Sequence, residues 1–366
     1  MTAFSDADRA HMACALALAE RGLFTTTPNP RVGCVIVAEG AVIGEGWHER
    51  AGEAHAEVNA LADARVRGLD PRGATLYATL EPCNHTGRTP PCAEAVIAAG
   101  IGRVVAAMAD PNPAAAQGAE RLRAAGITVD IGLLADEAHE LNIGFVSRVT
   151  RGQPWVRMKA AASLDGRTAL LSGESQWITG EAARADGHRW RARACAILTG
   201  IGTVRQDDPQ LSVRAATTPR QPLRIVVDRH AETPAIAKVL AGDGALIVTA
   251  GGRNPGWPSA VQVLELPDAD GRVDLRRLML ALGERGVNEL HVEAGAKLNG
   301  ALLAAGLVDE LLLYLAPCIL GDPARGIAQF ASGLTRLEDR MALTIHDVAR
   351  IGDALRVTAR VVRKAA

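Results

Sequence analysis

Apolar positions in the N-terminal third of the chain fall into short blocks of two kinds. Runs rich in β-branched residues at 31–37, 41–46, 75–79, 103–108 and 127–131 read as strands. Ala-rich runs at 54–66, 92–99 and 120–125 read as helices. Glu39-Gly40 makes the turn between the first two strands, and Gly100 and Gly126 end helices. An amphipathic helix with Ser5 as its N-cap leads the chain. Strands alternating with helices predict an α/β sheet covered by helices.

Around 142–153 the pattern pauses, and Arg151-Gly152-Gln153-Pro154 reads as a join. A strand at 155–161 then opens a second α/β series, with strands at 194–198, 223–227, 245–249, 289–292 and 310–315. Stretches 241–244 and 251–258 read as surface loops. A chain of 366 residues needs more than one ordinary core, so two domains are expected, 1–148 and 149–366.

Composition narrows the function classes. With 48% hydrophobic residues, 22% charged residues and a net charge of −1, the chain reads as soluble and globular. Nothing favours nucleic acid, which needs Lys and Arg clustered on one face. The apolar stretch 12–19 is too short for a membrane span, and the N-terminus lacks the leader of a signal peptide. Six cysteines without a secretory signal are expected to stay reduced, which makes the cytoplasm the expected location.

The sharpest chemical signal is His55-Ala56-Glu57, followed by Pro82-Cys83 and Pro91-Cys92. Zinc takes imidazole and thiolate ligands tetrahedrally, and a catalytic site keeps one corner for water. His55, Cys83 and Cys92 supply three ligands and leave that corner open. The water's pKa then falls to about 7, giving a hydroxide able to attack a ring carbon that bears an amine. Glu57, at a helix start, is placed to carry protons from the water to the ring nitrogen and the departing ammonia. Cys92 opens its own helix, whose dipole favours thiolate. Two other readings stand beside this one: simple packing, and a closed structural zinc site with His85 as fourth ligand. If His85 instead faces the pocket, it is a substrate contact.

The motifs Thr27 to Gly33 (TPNPRVG), His48, Ala51-Gly52, His55 to Val58 (HAEV) and Leu80 to Cys92 (LEPCNHTGRTPPC) resemble the deaminase half of the bifunctional riboflavin-biosynthesis deaminase-reductase family. Cytidine and tRNA-adenosine deaminases share the zinc logic but space their cysteines Cys-x-x-Cys; here eight residues, 84–91, intervene. Ala54 departs from the family, which has Pro there. The resemblance implies a cytidine-deaminase-like three-layer sandwich. It also implies the substrate 2,5-diamino-6-(5-phosphoribosylamino)pyrimidin-4-one, which would lose its 2-amino group. Asn29 is the candidate for holding the pyrimidine, and Asp110 and Asn112 are weaker candidates for the same pocket. Paired prolines around Asn29 also fit plain rigidity.

In the second half, Met158 to Gly166 (MKAAASLDG), Gly173 to Thr179 (GESQWIT), Thr203 to Arg214 (TVRQDDPQLSVR) and Glu293 to Gly300 (EAGAKLNG) resemble the same family's reductase, which is dihydrofolate-reductase-like and uses NADPH. Carried over by position, the nicotinamide cofactor would meet Ala161, Trp177, Thr203, Asp207, Gly295, Ala296, Lys297, Leu298, Asn299, Gly300 and Ala301. The phosphoribosylaminouracil would meet Ser175, Arg191, Leu211, Arg214 and Glu293. Arg191 and Arg214 suit a phosphate because guanidinium is a planar donor fork. As the residues alone read, both fit solvated or ion-paired surface arginines, and Trp177 fits core packing. The turn 293–297 leads into a helix at 298–305, whose start could bind a pyrophosphate. No G-x-G-x-x-G fingerprint argues for a standard dinucleotide fold. The reduction would convert the opened ribose to a ribityl chain, and no side chain stands out as its general acid. The expected ligands are Zn2+, NADPH and a small phosphorylated pyrimidine, with no nucleic-acid or membrane partner, and a homo-oligomer is expected. The rival readings are a nucleobase deaminase acting on RNA, which predicts a basic surface and Cys-x-x-Cys, and a non-catalytic zinc scaffold.

Overall fold

In a computed structural model, which describes residues 4–86, 90–252 and 256–363, the chain divides into two units, 1–152 and 153–366. Residues 87–89 of the insert between the cysteines and 253–255 of the second expected loop lie outside the described residues.

The first unit runs α1 (Asp6–Glu20), β1 (Gly33–Ala38), β2 (Ala41–Trp47), α2 (Ala56–Val66), β3 (Thr75–Ala78), α3 (Cys92–Ala98), β4 (Arg103–Ala106), α4 (Gly118–Ala124), β5 (Thr128–Ile131), α5 (Ala135–Leu141) and α6 (Ile143–Arg151). Ser5 caps α1, its hydroxyl accepting from the Asp8 amide while the Asp8 carboxylate accepts from the Ser5 amide. The sheet order is β2-β1-β3-β4-β5, antiparallel at β2-β1-β3 and parallel beyond. Successive strand side chains point to opposite faces. Cys34, Ile36, Leu76 and Val104 pack with residues of α2, α3 and α4. Val35, Val37, Tyr77 and Val105 pack with residues of α1 and α5. This is a three-layer sandwich.

The pause expected at 142–153 is instead the helix α6. Val146, Val149 and Thr150 are poor helix formers, so local propensity does not announce it. Burial of Ile143, Gly144 and Phe145 stabilises it.

The second unit contains β6 (Trp155–Ser163), β7 (Arg167–Ala169), α7 (Glu181–Arg193), β8 (Ala196–Gly200), α8 (Ile201–Asp207), β9 (Leu223–Val227), β10 (Ala245–Thr249), β11 (Gln262–Glu265), α9 (Leu275–Glu284), β12 (Glu289–Val292), α10 (Ala296–Ala304), β13 (Glu310–Ala316), β14 (Arg325–Gly326), β15 (Leu343–Ile351) and β16 (Ala354–Val361). Its main sheet has the order β11-β10-β9-β8-β12-β6-β13-β16-β15. The pairs from β11 to β13 are parallel, and β13-β16-β15 is antiparallel. Parallel strands buried on both faces read as continuous apolar runs, which is why β9, β10 and β13 are visible in sequence. The polar α7 buries only Ala183 and Ala192 and shows no apolar stripe. The loop expected around 251–258 is pinned by Trp257, buried with its indole N–H donating to the Thr233 carbonyl.

Candidate active sites

Glycines bring α2 down onto β2. A Cβ at Gly44 would lie 2.4 Å from the Ala60 oxygen, and one at Gly46 would lie 2.4 Å from the Ala60 nitrogen. Small residues Ala56, Ala60 and Ala64 form the matching side of the helix. His55 is the N-cap residue of this helix, in extended conformation, and Glu57 follows within the first turn, 3% exposed. Cys83 lies beyond the end of β3, and Cys92 is the first residue of α3, its amide directed at Cys83 Sγ at 3.4 Å. α4 locks the Cys83 loop from behind, since a Cβ at Gly118 would sit 1.7 Å from the Pro82 oxygen.

The result is a compact donor set. His55 Nδ1 is 3.2 Å from Cys92 Sγ and 3.6 Å from Cys83 Sγ, and the three donor atoms lie within 4.8 Å of one another. One imidazole and two sulfurs of this spacing fit a tetrahedral zinc ion. Among the described residues this is the only such group, and His85 stands outside it. His85 lines the neighbouring cavity, its buried Nδ1 without a hydrogen-bond partner among the described residues. Cys83 is pulled down to about 4, chiefly by the Cys92 thiol, and Cys92 is pushed up by Cys83. His55 is raised, mainly by its contact with Cys83. Burial pushes the Glu57 carboxyl up to about 7.

A cavity of about 390 Å³ opens beside these residues. Asn29 lines it, with Nδ2 3.0 Å from His48 Nε2. His48 Nδ1 faces the Ala54 carbonyl at 3.0 Å, so that nitrogen donates, and Nε2 accepts from the Asn29 amide. The Asn29 side chain is thereby oriented. The backbone of its loop is clasped from α5 and α6: Asn142 Oδ1 accepts from the Arg31 amide at 2.8 Å, and Asn142 Nδ2 donates to the Arg31 oxygen at 2.9 Å. Asp110 and Asn112 line the same cavity. Burial pushes the Asp110 carboxyl up to about 6. Glu81 ties their loop to α4, accepting from the Asp110 and Ala119 amides. Sequence reasoning missed Asn142, Glu81 and Arg148; only contacts across more than 25 residues reveal them.

In the second unit the candidates gather at the carboxyl ends of three neighbouring strands, β8, β12 and β6, where open α/β sheets bind ligands. Ala161 lies on β6, Gly200 leads from β8 into α8 with Thr203, and Glu293 follows β12 before Gly295 caps α10. A Cβ at Gly295 would meet only Thr203 Oγ1, at 3.8 Å, and one at Gly200 would meet Leu298 at 3.2 Å. The two helix starts therefore face each other, a setting that favours an anionic pyrophosphate. Asp207 closes α8 with its carboxyl raised by burial, and buried Leu211 follows with φ +49°.

Three expectations change here. The helix starts at Ala296 rather than 298, and the Asn299 amide already bonds the Gly295 oxygen. Open N–H groups are thus confined to the first turn. Asn299 and Gly300 instead hold the segment after β14: Asn299 Nδ2 donates to the Ile327 oxygen, and a Cβ at Gly300 would lie 1.9 Å from the Gln329 oxygen. Ala301 lies on the exposed side of α10. Arg191 is not an open fork. Its Nε and NH2 grip Glu293 at 2.5 and 2.9 Å, and NH1 donates to the Ser212 oxygen. Lys159 and His291 flank the same carboxylate at 3.9 and 3.4 Å. Arg214 is exposed, its NH1 donating to Gln210 and Ser212 and its amide to His188 Nδ1. Trp177 is not core packing: it is 71% exposed and stacked by Arg184 at 4.6 Å, two residues beyond half-buried Ser175.

Residues 5–108 match the cytidine and deoxycytidylate deaminase zinc-binding region, and 154–353 match the RibD C-terminal domain. Over 359 residues the chain is 48% identical to riboflavin biosynthesis protein RibD of Escherichia coli (strain K12), across 94% of this chain and 97% of that one. It is 40% identical over 354 residues to that of Aquifex aeolicus (strain VF5), across 95% and 97%. Among solved structures, Acinetobacter baumannii RibD, form 1, is similar with a TM-score of 0.87 at 40% identity, across 98% and 99% of the two chains. A diaminohydroxyphosphoribosylaminopyrimidine deaminase/5-amino-6-(5-phosphoribosylamino)uracil reductase from Thermotoga maritima reaches 0.90 at 33% identity, across 97% and 99%. A zinc-type deaminase unit and a reductase unit, in that order and over nearly the full length, place this chain in the family of bifunctional riboflavin-biosynthesis deaminase-reductases.

Proposed function

We propose that residues 1–152 deaminate 2,5-diamino-6-(5-phosphoribosylamino)pyrimidin-4-one and that residues 153–366 then reduce the product's ribosyl chain to ribityl with NADPH. The observation that carries the first step is the convergence of His55, Cys83 and Cys92 beside a buried carboxylate at the floor of a cavity. These three residues would hold zinc, which supplies Lewis acidity toward water at neutral pH. Asn29, held by His48, binds the pyrimidine edge, and His85 offers a further polar contact. Glu57 Oε takes a proton from the attacking water and returns it to the departing amine. Apolar walls such as Leu80 and Phe145 limit competing water.

For the second step, the starts of α8 and α10 together with Ala161 and Thr203 would hold NADPH, which would supply the hydride. Trp177, Asp207 and residues 295–298 complete the cofactor assignment, and Asn299 and Gly300 support the helix from behind. Ser175, Leu211, Arg214 and the Arg191–Glu293 pair hold the aminouracil. In that pair Arg191 positions Glu293, and Arg214 is the residue with phosphate chemistry at the surface. Among the described residues no helix is long and apolar enough to cross a membrane. A reducing cytoplasm suits Cys83 and Cys92 as ligands. We assign a homo-oligomer paired through β15, a nine-residue edge strand exposing Leu343, Ile345 and Val348.

The test is order of events. Zinc-loaded protein given the diaminopyrimidine and NADPH should release ammonia first and oxidise NADPH only afterwards. NADPH oxidation without prior ammonia release would overturn the reading. Light scattering should give a multiple of the chain mass that Ile345→Arg reduces; a monomer at micromolar concentration contradicts the oligomer.

A further inference from the structure

From Leu211 to Arg214 the chain belongs to no helix or strand, so its backbone polar groups have no ladder to satisfy them. A surface loop of this kind ordinarily gives them to water. Here side chains take them. The Ser212 oxygen accepts from Arg191 NH1 at 3.1 Å. Gln221 pairs with Val213 in both directions: its Oε1 accepts from the Val213 amide at 2.8 Å, and its Nε2 donates to the Val213 oxygen at 3.1 Å. The Arg214 amide donates to His188 Nδ1 at 3.2 Å. Burial, with Arg191 and Arg214 nearby, holds His188 down to about 4, so near neutral pH the ring is uncharged and Nδ1 can accept. Three successive residues are thus held from α7 and from the residue two positions before β9. The clasp is itself anchored, because Arg220, beside Gln221, donates to the Ala192, Arg193 and Ala194 oxygens at the end of α7. Leu211, buried, enters the loop with φ +49°, a conformation that persists only where the surroundings fix it.

We propose that His188 and Gln221 are positioning residues of the reductase, fixing the backbone at Val213 and Arg214 so that the Arg214 guanidinium is in place before the substrate's phosphate arrives. The proposal rests on the reductase reading given above, with Arg214 as the phosphate contact. A loop ordered in advance leaves more of the contact energy for affinity, because binding no longer has to order it.

The experiment follows NADPH oxidation by full-length protein with 5-amino-6-(5-phosphoribosylamino)uracil and with its dephosphorylated nucleoside, in Gln221→Ala, His188→Ala and His188→Asn. If the clasp keeps the loop competent, Gln221→Ala should raise KM for the nucleotide roughly 10-fold, as expected when the binding-ready fraction falls to a tenth. Its kcat should change by a few-fold at most, and the preference for nucleotide over nucleoside should fall by the same factor as KM rises. His188→Ala should act in the same direction. His188→Asn, which keeps an acceptor as many bonds from the backbone as Nδ1, should restore most of the loss. An unchanged Kd for NADPH monitors folding of the second unit. In an Arg214→Ala background, Gln221→Ala should cost about two-fold or less in KM, since residues that act through one another are not additive. Equal losses on both substrates, a full cost persisting without the Arg214 side chain, or loss of NADPH binding with loss of turnover would overturn the positioning role. If the unmutated protein oxidises NADPH with neither substrate, the reductase reading itself falls, and the role of the clasp with it.

Discussion

The two catalytic units differ in how their chemistry is written. In the first, His55, Cys83 and Cys92 meet within 4.8 Å, and each is a residue type that zinc chemistry demands. In the second, the candidates run from Ala161 to Ala301, and those after β8 and β12 meet only because β8, β12 and β6 are neighbours in the sheet. A metal selects atoms, whereas a large cofactor is held largely by backbone shape, helix starts and gaps where side chains are missing. Residue type therefore reveals the first site, and topology reveals the second.

The comparison breaks most visibly at Glu57. Glu57→Gln should lower ammonia release by roughly 10²- to 10⁴-fold, with zinc content and reduction of supplied aminouracil nucleotide unchanged. Parallel ammonia, zinc and NADPH assays check this, and loss of both activities together would mean the units are not chemically separate.

The next largest effect belongs to the second unit. Glu293 is held well below the usual carboxylate range: burial alone would raise it, but Arg191, Lys159 and His291 outweigh burial. Removing one partner of a buried pair costs about 3–5 kcal/mol, so Arg191→Ala should destabilise this unit and abolish reduction while ammonia release persists. A carboxyl with a depressed folded pKa contributes its full stability above its unfolded value of 4.5, and loses it as pH falls from there through the folded value. Denaturant unfolding at pH 7 and pH 4 should show the cost of Arg191→Ala shrinking in acid. A pH-independent cost would mean that packing, not charge, holds the pair.

Smaller effects test the packing that delivers each site. Gly46→Ala forces a Cβ against the Ala60 nitrogen and the Ala56 oxygen. Overpacking of this kind costs about 1–3 kcal/mol, and it should displace His55 and Glu57, weakening zinc retention and ammonia release. Dialysis against a chelator reads that retention, and wild-type zinc loss would show that α2 need not lie so close. Smallest is Tyr77→Phe, which removes one of several hydrogen bonds to Asp8. It should cost about 1 kcal/mol in thermal unfolding of the first unit and leave NADPH oxidation untouched.

Much of this was legible in residue order. The periodicities at 41–46, 75–79, 223–227 and 245–249 coincide with β2, β3, β9 and β10 to within a residue. The elements that escaped are those whose stability is borrowed from neighbours. α6 is rich in β-branched residues, α7 lacks an apolar stripe, and β15 presents most of its length to solvent. At the sites, Arg214 lies exposed, whereas Arg191 is no open fork, because a carboxylate 102 positions away occupies its donors.

Local order along the chain thus settles the strand and helix alternation, the zinc-ligand chemistry with its neighbouring acid, and the two-part organisation, because each rests on residue types at short spacing. Tertiary folding alone decides that Asn142 clasps the Arg31 backbone, that Arg148 reaches the cavity, and that Glu293 meets Arg191. Those contacts join residues about 100 or more positions apart, and hydrogen bonds and charge pairing act over a few ångströms of space, whatever the separation along the chain.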